Sequence, residues 1–361
     1  MFFYAGVSEH GGIGRVVSIL TGSLVQSKDI KIYELALYKK HSEDVYQIDD
    51  SISRDVLYSS PTSMKKVFIT GGLSKLCYYI KKNKIDVIIA CGALFFPLSV
   101  FAAKCCKIKC ICWEHTSPHI SADYSFQRLC RKIGAKFSTC NVVLTKQTKD
   151  IYDRELCNKE KNIVIYNPID PQLHLYLHNS YLTTSKKIIS VGRFHYQKNY
   201  ECLVRIAARV LPQYPDWCWD IYGDGDLKTT IQKQIDLAGI GNQLKICGQS
   251  ANLYDLYGDY AFIVMTSRYE GFPMTLLEAS ANRLPLVSFD CETGPSEIIE
   301  NGENGFLVKA FDEKEMVNRI LFLINDVDTR VQMSKTSEKK SQEYNCDTIK
   351  QQWLNLIINL Q

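Results

Sequence analysis

The sequence predicts an α/β protein made of two doubly wound domains in succession. Three observations carry this. At 361 residues the chain is long for one domain and comfortable for two. Short apolar runs of strand length alternate with helical patterns along almost all of it, an order that produces mostly parallel sheets with helices on both faces. A breaker cluster, Asn167-Pro168-Ile169-Asp170, and a polar, loop-like stretch over 171–184 interrupt the alternation near its middle, after which it starts again.

In the first series strands are expected at Phe2–Ala5, Ile30–Ala36, Val67–Ile69, Val87–Ala90, Lys109–Trp113, Asn141–Leu144 and Asn162–Tyr166. The second series runs through Lys187–Val191, Trp217–Tyr222, Leu244–Cys247, Ala261–Met265, Leu284–Ser288 and Gly305–Val308, with helical patterns between, as at Tyr200–Val210 and Leu227–Gly239. The closing segment, Tyr344–Leu360, is a long helical pattern with Trp353, Leu354 and Ile357 on one side. The expected boundaries are therefore 1–170, 171–342 and a terminal helix over 343–361. A ligand is expected in the cleft at the carboxyl ends of the strands.

Composition narrows the class. Apolar content of 46% is ordinary for a soluble globular protein. The runs Val87–Ala93 and Leu94–Ala103 together approach membrane-spanning length, but Gly92 and Pro97 punctuate them and argue against a spanning helix. The start, Met1-Phe-Phe-Tyr-Ala, has no basic region, so no secretion signal is expected. Fourteen cysteines make no CxxC pair, which removes support for a zinc or thioredoxin-like site and reads as free thiols in a reducing cytoplasm. The net charge of +4 is unevenly spread: residues 1–170 hold 24 Lys+Arg against 16 Asp+Glu, residues 171–361 hold 19 against 23. The basic half interleaves Lys65-Lys66, Lys81-Lys82, Lys104, Arg131 and Lys132 with Tyr78, Tyr79 and Phe95-Phe96. It is either a solvated face or a surface drawn to an anionic membrane or a phosphorylated acceptor. No nucleic-acid-binding signature accompanies it.

The most informative segment is Glu270-Gly-Phe-Pro-Met-Thr-Leu-Leu-Glu278. It follows the buried run Ala261–Met265 and a strand-to-loop transition at Thr266, Ser267 and Gly271. Pro273 suits the first helical position, where its missing N–H costs nothing. The N–H groups of Gly271, Phe272, Met274 and Thr275 then sit at a helix N-terminus, a ready phosphate site. Glu278 lies about one turn inside, roughly 6 Å along the axis from Met274, about the reach from a diphosphate to a ribose diol. Glu270, ahead of the helix, is expected to face what lies beyond the phosphate.

Other loops supply partners. Ser190-Val191-Gly192-Arg193 continues to Lys198-Asn199, between a strand and a helix. Arg193 and Lys198 can neutralise a diphosphate together, one with a bidentate fork and one with a mobile point charge. Gly11-Gly12-Ile13-Gly14-Arg15 after the first strand is not a GxGxxG pattern, and its glycines either let a phosphate or sugar approach or form a plain turn. Trp113-Glu114-His115-Thr116 ends a strand, where His115 is placed to donate to a sugar hydroxyl or phosphate oxygen, with His119 a weaker candidate. Asp224 and Asp226, within Tyr222-Gly-Asp-Gly-Asp-Leu227, read as a tight turn and not as a metal site. Gly248-Gln249-Ser250 is expected to border a base, and Thr293–Glu297 to close the cleft.

Taken in order, Gly11–Arg15, Trp113–His115, Val164–Pro168, Val191–Asn199, Tyr222–Leu227, Gly248–Ser250, Ser267–Ala279 and Thr293–Val308 resemble the family 4 (group 1) retaining glycosyltransferases of bacterial surface-polysaccharide type. The resemblance implies the GT-B fold, two Rossmann-like domains facing a central cleft, with the terminal helix packed back on the first. It implies a nucleotide-sugar donor, with Arg193 and Lys198 on its diphosphate and Glu278 on its ribose. Glu270 faces the donor sugar beside the amides of Gly271, Phe272, Met274 and Thr275, and Gly12 approaches the phosphate. His115 matches the family's active-site histidine in outline. The family needs no divalent metal and no cofactor. Retention is expected by same-face attack, with Glu270 as a covalent nucleophile the alternative. The expected reaction moves a hexosyl group, from a UDP-sugar, to a lipid-linked saccharide for O-antigen or capsule, at the inner face of the cell membrane. A nucleotide-sugar epimerase of the same architecture and a non-catalytic nucleotide-sugar sensor are the rival readings.

Overall fold

The computed structural model describes residues 1–6, 11–39, 46, 48–118, 125–156, 159–177, 180–250 and 253–360. His119 lies outside them. The chain divides into two compact units, Met1–Pro168 with Cys346–Gln361, and Ile169–Asn345.

The first unit runs β1 (Phe2–Tyr4), α1 (Gly12–Leu24), β2 (Tyr33–Tyr38), β3 (Ser53–Tyr58), α2 (Met64–Ile69), α3 (Gly72–Lys82), β4 (Val87–Cys91), α4 (Phe96–Cys106), β5 (Lys109–Trp113), α5 (Ser125–Phe137), β6 (Cys140–Val143), α6 (Lys146–Glu155) and β7 (Asn162–Val164). Its seven-stranded sheet has the order β3-β2-β1-β4-β5-β6-β7, and every pairing is parallel. The central strand β4, Val-Ile-Ile-Ala-Cys, is buried throughout, as a strand covered on both faces must be.

The second unit runs β8 (Lys187–Val191), α7 (Tyr200–Val210), β9 (Cys218–Tyr222), α8 (Lys228–Leu237), β10 (Leu244–Gly248), α9 (Leu253–Leu256), β11 (Phe262–Met265), α10 (Met274–Ala281), β12 (Leu286–Asp290), α11 (Pro295–Ile298), β13 (Gly305–Lys309), α12 (Glu313–Asn325) and α13 (Val327–Ser341). Its six strands are ordered β10-β9-β8-β11-β12-β13, again all parallel. The last helix, α14 (Cys346–Leu360), belongs to the first unit, where the Trp353 ring meets Trp113 edge-on at 4.7 Å.

The fold is thus two parallel-sheet, Rossmann-like units, the GT-B fold. Two expectations are corrected. Val67–Ile69 is not a strand but the end of α2, which Ser63 opens by accepting the Lys66 amide. The third strand is instead Ser53–Tyr58, which pairs with β2 at the sheet edge, where Arg54 and Asp55 can reach solvent.

Candidate functional site

In the second unit the strand order reverses between β8 and β11. Loops leaving the carboxyl ends of two such strands diverge and open a crevice between them. The loop after β8 carries Gly192, Arg193 and Lys198; the loop after β11 carries Ser267 and Glu270–Pro273.

The first loop is pinned from below. Phe194 donates its amide to the Asp224 carbonyl (2.8 Å), and Leu227 donates to the Phe194 carbonyl (3.1 Å). Gly223 permits this contact, because a Cβ there would lie 2.0 Å from the Gly192 oxygen. The glycines of the Asp224/Asp226 turn therefore serve backbone against backbone. Among the described residues no group of three or more His, Cys, Asp or Glu is arranged to hold a metal ion.

The two loops meet at an ion pair. Lys198 Nζ lies 2.7 Å from Glu270 Oε1, with side-chain exposures of 15% and 7%. Gln197 Nε2 donates to Glu270 Oε2 (3.2 Å) and to the Tyr269 carbonyl (3.0 Å). Arg268 closes the contact through its amide on the Gln197 carbonyl, 2.8 Å. Arg193 is exposed and has no ion-pair partner among the described residues. One cation is thus bound to a carboxylate while its neighbour is left available for an anion.

The turn after Glu270 is shaped by Thr293 and Gly294, which pack on it. Thr293 Oγ1 donates to the Glu270 carbonyl at 2.5 Å. Gly294 has a φ of +98°, and a Cβ there would come within 2.8 Å of Pro273 Cδ and 3.0 Å of the Gly271 oxygen. Helix α10 starts one residue later than the sequence suggested: Pro273 caps it from outside, and its carbonyl accepts from Leu276 (3.1 Å) and Leu277 (3.3 Å). The amides of Met274 and Thr275 precede those bonds, at the electropositive end of the helix. The hydroxyls of Ser267 and Thr275 are buried without a hydrogen-bond partner among the described residues. The Phe272 ring packs edge-on against Tyr344, 5.4 Å between centroids. Glu278 is fully buried and accepts from the Tyr257 hydroxyl at 3.1 Å.

In the first unit, the strand order reverses between β1 and β4, and His115 follows β5, the strand next to β4. Its ring lies 4.2 Å from that of Trp113, and Nε2 is buried with no partner among the described residues. Burial pushes its pKa down to about 4, against the opposing pull of Glu114, so the imidazole is neutral near pH 7. Glu114 is the anchor beneath it. Its Oε2 takes Arg131 Nε (2.7 Å) and the Tyr152 hydroxyl (2.8 Å), and its Oε1 takes the Thr116 amide (3.1 Å) and hydroxyl (2.9 Å). Burial would raise the Glu114 carboxyl, but Arg131, Tyr152 and Thr116 hold it below the usual carboxylate range. Gly12 is the exposed first residue of α1, and a Cβ on it would meet nothing within 4 Å.

Sequence reasoning missed Gln197, Thr293 as a shaper of the Glu270 turn, and the Arg131–Glu114–Tyr152 cluster. Only the last left a trace: a glutamate inside an otherwise apolar strand end needs a cation, and its partner is 17 residues away.

Two family profiles tile the chain. Glycosyl transferases group 1 matches residues 179–340, and Glycosyltransferase Family 4 matches residues 10–173. The amylovoran biosynthesis glycosyltransferase AmsD of Erwinia amylovora is 28% identical, over 98% of this chain and 97% of its own. A Campylobacter jejuni α-1,4-N-acetyl-D-galactosaminyltransferase, whose name gives an undecaprenol-diphosphate-linked saccharide, is 22% identical over 98% and 97%. Among solved structures, HepE from Anabaena in complex with UDP-glucose aligns with a TM-score of 0.82 at 17% identity, covering 99% of both chains.

Proposed function

Because this chain belongs to the group 1, family 4 glycosyltransferases, we propose that it transfers a hexosyl group, with retention and without a metal, from a UDP-sugar to a lipid-linked saccharide in bacterial surface-polysaccharide synthesis. The observation that carries the donor reading is the Lys198–Glu270 pair beside the N-terminus of α10, with Arg193 left free for an anion. The AmsD and Campylobacter names support the polysaccharide setting and the lipid-linked acceptor, and the HepE complex supports UDP. The epimerase and sensor readings have no such support.

In this reading the donor diphosphate lies against Arg193, Lys198 and the amides of Met274 and Thr275, with the Gly271 and Phe272 backbone beside the sugar. As the bond from the anomeric carbon to the leaving phosphate oxygen breaks, negative charge grows on that oxygen. Cations and helix amides already aimed at it stabilise the transition state more than the ground state. The acceptor hydroxyl attacks the same face of the sugar and gives its proton to the departing diphosphate. Glu270 is assigned to positioning the donor sugar, held by Lys198 on one oxygen and Gln197 on the other, with covalent attack the alternative. His115, neutral and with an unsatisfied nitrogen, is assigned to a sugar hydroxyl or phosphate oxygen on the first unit. Gly12 is assigned to close backbone approach to phosphate. Glu278 is assigned to the ribose hydroxyls.

The test is a donor screen. Purified protein is incubated with UDP-, GDP-, ADP- and TDP-sugars plus a bacterial lipid extract, with and without chelator. Chelator-resistant, extract-dependent release of UDP is expected. Release that chelator abolishes, or UDP release that ignores the extract, would overturn the metal-free or the lipid-acceptor part respectively.

A further inference from the structure

We propose that Cys77 on α3 and Cys106 on α4 form an oxidant-sensitive modification site, which a hydroperoxide converts reversibly into a disulfide joining the two helices. The inference stands apart from the donor and acceptor readings.

The two helices pack on each other, and α4 lies on β4 and β5. Each thiol reaches the backbone of the opposite helix. Cys106 Sγ donates to the Cys77 carbonyl at 3.8 Å, and Cys77 Sγ donates to the Ala102 carbonyl, one turn before Cys106, at 4.0 Å. The Cys77 thiol is also within hydrogen-bond reach of the Cys106 thiol. A disulfide joins Cα atoms about 5.5–6 Å apart, the scale on which a thiol touches the backbone that carries its partner.

Access separates this pair from the other close thiols. Cys77 and Cys106 are half-buried, and Cys105 beside them is exposed, so a small oxidant can reach the site. Cys110 and Cys112 also lie within hydrogen-bond reach of each other on β5, and Cys140 starts the neighbouring strand β6. All three of these are buried, behind the helices that cover a parallel sheet. They serve as an internal control: close in space, closed to solvent.

The two thiols suit different steps. Burial first, and then the neighbouring Cys106 and Cys105 thiols, push Cys77 up to about 12, so it keeps its proton near pH 7. Cys106 is therefore assigned the first attack. Its sulfur takes one oxygen of the hydroperoxide as the O–O bond breaks, the other oxygen leaves as water with the proton from the thiol, and a sulfenic acid remains. The Cys77 sulfur then attacks the sulfenic sulfur. The S–O bond breaks, and the hydroxide leaves as water with the Cys77 proton. Two thiols and one molecule of hydrogen peroxide thus become one disulfide and two waters. Reduction by an external dithiol reverses the change, as expected for pairing in reducing surroundings.

The test uses the whole chain, without donor or acceptor, treated with hydrogen peroxide. Remaining thiols are then alkylated in denaturant, and the protein is digested with trypsin without reductant. Cleavage after Lys75, Lys81, Lys104 and Lys107 puts Cys77 on the peptide Leu76–Lys81 and both α4 thiols on Cys105–Lys107. These two peptides should appear linked, lighter than their sum by two hydrogens, and dithiothreitol should separate them. Cys110, Cys112 and Cys140 should carry the alkyl label in full. The link should persist in Cys105→Ser and vanish in Cys106→Ser, each with an unchanged circular dichroism spectrum. Because the link closes a loop of 29 residues in a geometry already present, oxidised wild type should melt above the reduced form. A link that survives Cys106→Ser, pairing of Cys105 with Cys106, or oxidation of the thiols without a linked peptide would overturn the assignment. So would an oxidised form that melts lower, because the link would then form only by pulling the helices out of place.

Discussion

Each unit holds a buried carboxylate against a cation, and the two pairs are built differently. Arg131–Glu114 is closed on every side, with exposures of 2% and 1%, and its carboxylate accepts five hydrogen bonds from the chain itself. Lys198–Glu270 is looser, at 15% and 7%, and shares its two loops with the start of α10 and with Arg193, which has no ion-pair partner among the described residues. Arginine's planar fork suits a fixed, bidentate partner, whereas lysine is a mobile point charge that can be shared with an arriving anion. The first pair belongs to architecture, fixing the backbone that carries His115. The second belongs to the proposed chemistry.

The largest expected effect breaks the closed pair. Arg131→Ala leaves Glu114 charged and uncompensated in the interior, which costs about 3–5 kcal/mol. Chemical denaturation should show this as a lower midpoint at unchanged slope. A variant as stable as wild type would mean that Glu114 is not held as the geometry indicates. Next comes Lys198→Ala, for which the same comparison expects the opposite division. Turnover should fall roughly 100- to 1,000-fold, the scale of losing one preorganised charge at a leaving group. Stability should change far less, because the remaining carboxylate can reach water. If Lys198→Ala unfolds the protein and the survivors turn over normally, the two pairs are of one kind and the contrast fails.

The same contrast explains what could be read in advance. Strand and helix alternation was plain wherever strands were uniformly apolar, as in Val87–Cys91 and Phe262–Met265. It failed at the sheet edge. Ser53–Tyr58 carries Arg54 and Asp55 and looks polar, while Val67–Ile69 is short and apolar like a strand although Ser63 marks a helix start. The candidate site was legible as motifs and opaque as contacts. Glu270 and Lys198 lie 72 residues apart, and nothing local says that they touch. Gly223 reads as a turn glycine and Gly294 as part of a cleft-closing segment, but the use of each is to let its backbone approach a distant loop. Helical spacing places Glu278 one turn inside α10, but it is blind to the full burial of its side chain, which distant residues such as Tyr257 create.

The smallest expected effect is the pH signature of the closed site. His115 keeps a pKa near 4 in the fold, against 6.5 as its ordinary value. As pH falls below 6.5 the unfolded chain binds a proton that the folded chain refuses, so folding weakens progressively until about pH 4. Glu114, held low, adds loss of the same sign further down, as pH falls below its ordinary 4.5. Between pH 7 and pH 4.5 the histidine alone should remove roughly 2–3 kcal/mol. In His115→Asn that slope should flatten, while the steeper loss at lower pH, set by Glu114, should persist. Denaturation curves for both proteins at pH 7, 5.5 and 4.5, and at one lower pH for the Glu114 part, decide it. Equal slopes would place His115 in water, free to charge, and would remove the main reason for regarding the first unit's strand end as a dry, preorganised surface.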